Sequence, residues 1–405
     1  METLKLFDNS AEAIFIERPN RYTVIAKTTE DLKTIRAYCP NPGRLIEILV
    51  PGRRLILEYN RKGVSKRKTE YTVVAAYYKD TIVPLYSARA NVIAEKLIIP
   101  KLFPDYDTIK REVSIGNSRI DFLVTEKAGK NRRYIYIEIK ACTLIEYNIA
   151  MFPDAPTSRG KKHIIELSKI TQPSCIDSHL DSSFDLLSDM ASENIRAHVI
   201  FVIMNPHARA FIPNMHTDID FTMAMEDARN RVSFTAVSIE SNRNGSVRIF
   251  NTNIPIDWKS AKNNTIKKGV YMLSVHINKD QTTTVGSLGK VLFKKGYYVY
   301  VGSALNNLDK RIARHKKKLK TIKWHIDYLT TIADNIKAYP IRTSKSLECP
   351  LAGEILKISE NYIDNFGSSD CNCPSHLFFF SENPEMKTKF LNILFRFRHR
   401  EAFVQ

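Results

Sequence analysis

The sequence predicts a multidomain chain: a small β-barrel first, an α/β domain second and an α+β domain last. Short β-rich runs separated by Pro, Gly and Asn turns fill the first part, and strands alternate with helices in the second. Two glycine-bounded strands followed by helices begin the third. With 405 residues, 43% of them hydrophobic, the chain is long enough to bury several cores. The predicted boundaries are 1–88, 89–250, a linker at 251–265, and 266–405.

The charge balance favours a polyanionic partner. The chain carries 61 Lys and Arg against 43 Asp and Glu, a formal net charge of +18 at pH 7. No segment approaches the roughly 20 apolar residues of a membrane span, and the N-terminus lacks the apolar core of a signal peptide. We therefore expect a cytoplasmic protein without a membrane partner, and the sequence leaves its oligomeric state open.

The six cysteines are irregularly spaced, which indicates reduced thiols rather than a disulfide framework. Cys371 and Cys373 lie close to His376, a pattern that would suit zinc. One close pair with one histidine supplies too few ligands for a closed zinc site, so we expect buried thiols there.

In the barrel region, cations alternate with aromatic residues around Tyr59 and Tyr71. Such a strand-lined groove holds phosphates while the rings stack on bases, as small barrels do with single strands. The alternative interpretation is a solvated hairpin tip above core tyrosines. The candidate nucleic-acid-binding cations are Arg53, Arg54, Lys66, Arg67 and Lys68.

The second region contains two predicted buried strands, 118–124 and 134–140, that carry Asp121, Glu138 and Lys140. Buried strands do not normally carry charge without a partner or a metal, and the period of two aims Glu138 and Lys140 at one face. We expect Asp121 and Glu138 to hold Mg²⁺ or Mn²⁺, which prefer oxygen ligands. Lys140 would orient or help deprotonate the attacking water, or stabilise charge on the phosphate. The alternative is a buried ion pair between Lys140 and a carboxylate.

Residues around these strands are candidates for the same site. Glu95, on the preceding predicted helix, would add a metal ligand or an outer contact; the alternative is a solvated glutamate. Segment 152–163 is predicted as a loop entering a helix, where Asp154, Arg159 and His163 would approach the metal or the phosphate. Alternatively, Thr157 or Ser158 caps that helix and the charged residues face water.

Residues 15–240 resemble the sugar fermentation stimulation protein A family. The resemblance implies an OB-like barrel joined to a domain related to PD-(D/E)xK nucleases, with DNA binding as the family property. It also covers Glu138-Ile139-Lys140, where family members usually have Glu-Val-Lys. The motifs that carry it are Cys39-Pro40-Asn41-x-Gly43, Lys66-Arg67-Lys68, Arg119-Ile120-Asp121-Phe122-Leu123, and Phe152-Pro153-Asp154-Ala155-x-Thr157-x-Arg159-Gly160-x-Lys162-His163.

The last region has its own set of candidate residues. Segments 269–273 and 296–304 are predicted as two strands of one sheet, and Arg311, Arg314 and His315 follow on a helix as neighbours three and four residues apart. A tyrosine as general base or as the group that orients the nucleophile, an arginine on the phosphate and a glutamate on one Mg²⁺ would serve phosphodiester cleavage. Alternatively, the aromatic residues fill a core and the basic helix is solvated.

This region resembles the GIY-YIG nuclease superfamily, specifically the small domain found alone or fused to base-excision glycosylases such as endonuclease III. The resemblance places Tyr271, Tyr300 and Arg311 on the superfamily's motif positions. Its metal-binding glutamate maps to Glu348, with Glu354 as the alternative. The segments that carry the resemblance are 324–329, 348–352 and 368–378.

Together these observations predict a DNA-binding protein that hydrolyses phosphodiester bonds with Mg²⁺ or Mn²⁺, acting on single-stranded or structured DNA. Nucleic-acid contacts are expected from the barrel cations and from Arg159, His163, Arg314 and His315. Two alternatives stay open. One is a non-catalytic DNA-binding regulator, of the type that controls sugar metabolism, whose nuclease folds only grip DNA. The other is an RNA-processing enzyme, because a barrel with aromatics does not by itself distinguish the two sugars.

Overall fold

The computed structural model describes residues 2–8, 10–60, 69–128, 131–172 and 194–401. The predicted DNA-contacting residues Lys66, Arg67 and Lys68 lie outside these ranges. Contacts divide the chain into two compact units, Met1–Ala261 and Lys262–Gln405. Within the described ranges, no helix combines the length and the apolar composition that a bilayer crossing requires.

The first unit begins with a closed barrel of five strands. Antiparallel pairing runs in the order β4-β3-β2-β5-β6, and β6 returns to β4 through the parallel pairs Ala37–Tyr71 and Tyr38–Thr72. Alternate residues such as Val24 and Ala26 point into the barrel, as the period of two requires. The strands are β1 (Leu4–Lys5), which joins the next sheet, β2 (Ser10–Asn20), β3 (Thr23–Thr28), β4 (Thr34–Tyr38), β5 (Arg54–Tyr59), β6 (Tyr71–Tyr78) and β7 (Thr81–Pro84).

The α/β domain follows in the same unit around a seven-stranded mixed sheet of order β1-β16-β15-β13-β10-β9-β8. Its central strands β10, β13 and β15 are parallel, and β13 is almost continuously apolar, as expected of a strand covered on both faces. A small sheet, β11-β12-β14, stands beside it. The elements are α1 (Arg89–Ile93), a π-helical segment (Ala94–Ile98), α2 (Ile99–Leu102), β8 (Tyr106–Ile115), β9 (Ser118–Ala128), β10 (Asn131–Cys142), β11 (Ile145–Glu146), β12 (Ile149–Phe152), α3 (Ser158–Ile170), β13 (Ile195–Ile203), β14 (Ala210–Pro213), α4 (Ile219–Ala228), β15 (Val232–Ser241), β16 (Ser246–Ile254) and α5 (Trp258–Asn264).

Two carboxylates, Asp154 and Glu47, lie where the barrel meets the α/β domain. Asp154 accepts a hydrogen bond from the backbone N–H of Leu45 at 3.3 Å. A Cβ at Gly43 would stand 2.3 Å from Asp154 Oδ2, so only glycine fits there. Glu47 is buried nearby, and neither of its carboxylate oxygens has a hydrogen-bond partner within the described part of the chain. Burial, reinforced by the charge of Asp154, raises the pKa of Glu47 to about 8.

This raised pKa predicts a pH-dependent stability. The folded chain keeps a proton on Glu47, whereas the unfolded chain releases it above the ordinary pKa of 4.5. The contribution of Glu47 to the stability of the fold is therefore complete below pH 4.5 and is lost as the pH rises through about 8. We expect the free energy of unfolding to fall over this window by on the order of 2–4 kcal/mol more in the wild type than in Glu47→Gln. Urea unfolding from pH 5 to 9 measures it, with the exposed Glu30→Gln as control. Parallel curves for wild type and Glu47→Gln would contradict the assignment.

The second unit is built on an antiparallel sheet of order β21-β17-β20-β23-β22. The two predicted strands, β17 and β20, pair so that Tyr271 stands opposite Gly302. A Cβ at Gly302 would lie 2.6 Å from the Tyr271 hydroxyl, so the glycine makes room for this ring. The elements are β17 (Gly269–Ile277), β18 (Gln281–Thr284), a 3₁₀ turn (Gly286–Leu288), β19 (Lys290–Phe293), β20 (Gly296–Ala304), α6 (Leu308–Lys316), α7 (His325–Ile332), β21 (Asn335–Arg342), α8 (Glu348–Leu356), β22 (Asn361–Tyr362), β23 (Leu377–Phe380), a second 3₁₀ turn (Pro384–Met386), α9 (Thr388–Arg396) and a π-helical segment (Phe397–Glu401).

The order of a closed barrel, an α/β domain and an α+β unit confirms the predicted fold class.

Candidate functional site

The two acids predicted as metal ligands lie on adjacent strands of the α/β domain. Strands β9 and β10 are antiparallel, with Ile137 opposite Phe122. One step further in this register Glu138 faces Asp121, and directly opposed residues of an antiparallel pair point to the same side of the sheet. The backbone N–H of Ile139 donates to Asp121 Oδ2 at 2.8 Å and fixes that carboxylate beside Glu138.

Asp121 is held in a single orientation by a residue that the sequence did not single out. Asn91 Nδ2, on α1, donates to Asp121 Oδ1 at 2.7 Å. Burial, together with the negative charge of Glu138, raises the pKa of Asp121. A buried carboxylate beside a second negative charge is an arrangement that a divalent cation relieves.

The two carboxylate oxygens of Glu138 have different surroundings. Its Oε1 accepts a hydrogen bond from Lys140 and lies 2.6 Å from His163 Nδ1. Burial disfavours the charged carboxylate, but Lys140 and His163 outweigh it and lower the pKa of Glu138. Its Oε2 is buried and has no hydrogen-bond partner among the described residues. The ion pair with Lys140 is thus present, and it leaves one charged oxygen available beside Asp121, which fits a cation that prefers oxygen ligands.

Helix α3 delivers His163 and Arg159 to this site. Thr157 caps the helix by accepting from the backbone N–H of Gly160 at 3.0 Å, which is the cap proposed from the sequence. One turn apart, Arg159 Nε donates to His163 Nε2 at 3.3 Å. His163 is buried and Arg159 is exposed, so this pair runs from the carboxylates to the surface.

Glu95 and Asp154, which were also predicted for the metal site, make contacts with other residues of this unit. The carboxylate of Glu95 is bound by Arg111, whose Nε stands 2.7 Å away, and this pairing lowers the pKa of Glu95. Asp154 lies in the junction with the barrel and contacts Leu45. The role of Glu95 as a metal ligand stays a prediction.

The barrel presents two arginines stacked on tyrosines. The Arg54 guanidinium lies 4.4 Å from the Tyr77 ring centre and pairs with Glu12. Arg53 lies 5.1 Å from the Tyr78 ring centre and donates to a backbone carbonyl. The rings of Tyr59 and Tyr71, 4.9 Å apart, line a pocket of about 470 Å³. Among the described residues, the lining acids Glu12, Glu30 and Asp31 outnumber the lining cation Arg243, so this pocket carries a net negative charge.

The second unit gathers its own predicted residues around Tyr271. The Tyr271 hydroxyl lies 2.9 Å from His315 Nε2, and the ring centres of Tyr271 and Tyr300 are 6.3 Å apart. Burial raises the pKa of Tyr271, with Arg311 opposing the rise and Glu348 adding to it. Tyr271, Tyr300, Arg311 and Glu348 therefore share one electrostatic environment.

Asp327, which sequence reasoning did not weigh as a functional residue, organises the basic side of this site. Its inaccessible carboxylate receives two hydrogen bonds from Arg314, at 2.8 and 2.9 Å, and lies 3.4 Å from His315 Nδ1 and 3.7 Å from Lys320 Nζ. Burial disfavours the charge, but His315 and Arg314 hold the pKa of Asp327 far below its ordinary range. Both side chains, Arg314 and His315, are directed to Asp327. Their nucleic-acid contacts stay predictions.

The two candidate glutamates of α8 differ in their surroundings. Glu354 is bound by Lys357 and Arg396. Glu348, at the start of the helix, lies 3.2 Å from His376 Nδ1, and its pKa is lowered because His376 and Ser303 outweigh its burial. Glu348 is thus the member that shares the environment of Arg311 and the tyrosines.

Three family models match the chain. The SfsA N-terminal OB domain matches residues 16–85, and the sugar fermentation stimulation protein RE domain matches residues 88–175 and 181–245. A domain of unknown function, DUF123, matches residues 270–399, the region whose sequence resembles the GIY-YIG superfamily.

Relatives and a solved structure cover the first unit. A sugar fermentation stimulation protein homolog of Methanosphaera stadtmanae is 36% identical over 227 residues, 55% of this chain and 84% of that protein. The homolog of Methanothermobacter thermautotrophicus is 34% identical over 231 residues, 56% of this chain and 85% of that protein. The structure of Pyrococcus furiosus SfsA in complex with Ca²⁺ is 26% identical, with a TM-score of 0.50, and the match covers 62% of this chain and 99% of that one. The resemblances stated from the sequence are confirmed, and the chain belongs to the sugar fermentation stimulation protein family, with a DUF123 domain as its second unit.

Proposed function

We propose that this protein is a metal-dependent nuclease that binds DNA and hydrolyses its phosphodiester bonds at Asp121 and Glu138. The observation that carries the proposal is Oε2 of Glu138, which is buried, has no hydrogen-bond partner within the described ranges and belongs to a side chain on the same side of the sheet as Asp121. A buried charged oxygen without a partner is costly, and a divalent cation would remove that cost.

The donor set indicates the type of ion. Two carboxylate ligands favour Mg²⁺ or Mn²⁺, which prefer oxygen. The related Pyrococcus furiosus protein was solved in complex with Ca²⁺, another cation that takes oxygen ligands. When bound, such an ion polarises the scissile phosphate and lowers the pKa of a coordinated water.

The surrounding residues have distinct roles in this proposal. Asn91 and the Ile139 N–H hold the Asp121 carboxylate in place. Lys140 donates to Glu138 with one N–H and keeps two others to orient water or a phosphate oxygen. Arg159, exposed at the end of the pair with His163, attracts the DNA backbone toward the site.

A second cleavage centre is favoured by the convergence of Tyr271, Arg311 and Glu348. In this proposal Arg311 binds the phosphate, and Glu348 supplies an oxygen ligand to one Mg²⁺. The Tyr271 hydroxyl donates a hydrogen bond to His315 Nε2, so that a lone pair of the hydroxyl oxygen can orient a water.

The test is a cleavage assay on the purified full chain. End-labelled single-stranded, duplex and branched DNA, and matching RNA, are incubated with Mg²⁺, Mn²⁺ or Ca²⁺ and with a chelator. We expect DNA products with Mg²⁺ or Mn²⁺ that disappear with the chelator. Salt-sensitive DNA binding without products under every metal would replace the nuclease by the non-catalytic regulator, and products from RNA alone would replace it by the RNA-processing enzyme.

A further inference from the structure

We propose that the second unit binds one zinc ion through Cys349, Cys371, Cys373 and His376. The sequence alone offered only the close group 371–376, which is too few ligands for a closed site. The fold adds Cys349, from the first turn of α8. Three thiols and one imidazole are the ligand set of a structural zinc site.

The distances between these ligand atoms match those around one small ion. The three sulfurs and one histidine nitrogen all lie within 4.8 Å of one another. Cys371 Sγ stands 3.5 Å from His376 Nε2. Tetrahedral zinc with bonds of about 2.3 Å to sulfur and about 2.1 Å to nitrogen separates two such ligands by about 3.6 Å. The ligands thus need little rearrangement to close on an ion.

The other nitrogen of His376 supports the same assignment. Its Nδ1 lies 3.2 Å from Glu348 Oε1, on the side of the ring away from Cys371. Zinc-bound histidines commonly direct their second nitrogen to a carboxylate, which fixes the tautomer and the ring orientation. Here Nδ1–H faces Glu348, and Nε2 keeps its lone pair for the metal.

The segment that carries three of the ligands is held by its own hydrogen bonds. His376 donates its backbone N–H to Phe366 O at 2.8 Å, and its carbonyl accepts from Val301 N at 2.9 Å. Ser375 Oγ donates to Ile363 O at 2.6 Å. These hydrogen bonds tie the loop that carries Cys371, Cys373 and His376 to its neighbours, and zinc would join this loop to the start of α8.

The chemistry of the ligands selects the ion. Soft thiolates favour zinc over Mg²⁺ or Ca²⁺, which take oxygen ligands. The inference goes beyond the proposed nuclease activity, because metal content and stability report on it whether or not the protein cuts DNA. A disulfide between two of the three cysteines is the competing arrangement, and the experiment separates the two.

The experiment measures zinc in the untagged full chain, purified from zinc-supplemented cells with reductant present. We expect about one zinc per chain for the wild type and at least a tenfold lower content for Cys371→Ser/Cys373→Ser. Cys39→Ala, which changes a buried cysteine of the barrel, keeps its zinc and is the matched control. His376→Cys also keeps it, because four thiolates still form a closed zinc site.

A second experiment on the wild type tests the proposal even if the variants fold poorly. Stripping the wild type with a strong chelator and adding Co²⁺ should produce thiolate-to-cobalt charge-transfer bands and the intense visible bands of a tetrahedral ion. The stripped protein should unfold at a lower temperature and recover with Zn²⁺ but not with Mg²⁺. The proposal is overturned by a wild type without zinc, by a disulfide among these cysteines in the reduced preparation, or by full zinc in the double serine variant.

Discussion

We expect Asp121→Asn combined with Glu138→Gln to lower the rate of the DNA cleavage proposed for the α/β domain by at least about 10²–10³-fold, the range seen when one preorganised charge-stabilising group is lost. Both changes keep the shape of the side chain and remove the charge that would hold the metal. DNA affinity is expected to stay the same or rise, because two negative charges leave a site that a phosphate approaches. Initial cleavage rates with Mg²⁺, and binding measured with Ca²⁺ in place of Mg²⁺, separate the two effects.

Two further variants assign the cut to one unit. Glu126→Gln changes an acid of the same strand β9 that pairs with Arg133, and it should cleave at the wild-type rate. Arg311→Ala removes the phosphate contact proposed for the second unit. If the Asp121/Glu138 variant retains the wild-type rate while Arg311→Ala loses it, the metal chemistry belongs to the second unit and the account of the first is wrong.

Asp327→Asn is expected to destabilise the second unit by about 3–5 kcal/mol, the cost of leaving buried cations without their counter-charge. The wild-type carboxylate is inaccessible and faces Arg314, His315 and Lys320. The amide keeps the volume but loses the charge. Urea unfolding followed by Trp324 fluorescence, in a Trp258→Phe background, reports on this unit alone, because Trp324 packs against Arg311 and Arg314.

The Asp327 carboxylate also makes the stability of the second unit depend on pH, and the direction of this dependence follows from its pKa. The folded pKa of Asp327 lies far below its unfolded value of about 4, so its contribution is present above that value and is lost as the pH falls below it. The wild type should therefore lose more stability than Asp327→Asn on acidification. The exposed Asp364→Asn is the matched control and should follow the wild type. Equal stabilities of wild type and Asp327→Asn at pH 7 would show that the cluster is not held by this charge.

The elements that the sequence predicted are those whose signal is local. Strands 118–124 and 134–140 have a clear apolar pattern, and the period of two correctly gives Glu138 and Lys140 neighbouring positions on one face, where they form an ion pair. The cap at Thr157 is likewise set by residues next to it in the chain. Local patterns sufficed there because each of these features depends on backbone geometry within a few residues.

The contacts that the sequence did not predict depend on packing between distant parts of the chain. Asn91 reaches Asp121 only because α1 packs against β10, the strand paired with β9. Cys349 joins Cys371 only because α8 begins beside the loop before β23. Asp154 accepts a hydrogen bond from Leu45 at the barrel junction, where the missing side chain of Gly43 leaves space for it, and its approach to the metal stays a prediction. In each case the partner is far away in the sequence, and no periodicity connects the two.

The most direct test of the central claim is anomalous diffraction from crystals of the full chain soaked in Mn²⁺. We expect an anomalous peak within about 2.0–2.4 Å of carboxylate oxygens of both Asp121 and Glu138. We also expect the peak to vanish in the Asp121→Asn/Glu138→Gln variant. A well-ordered Asp121–Glu138 site without a peak, with Glu138 bound only to Lys140 and His163, would contradict this claim.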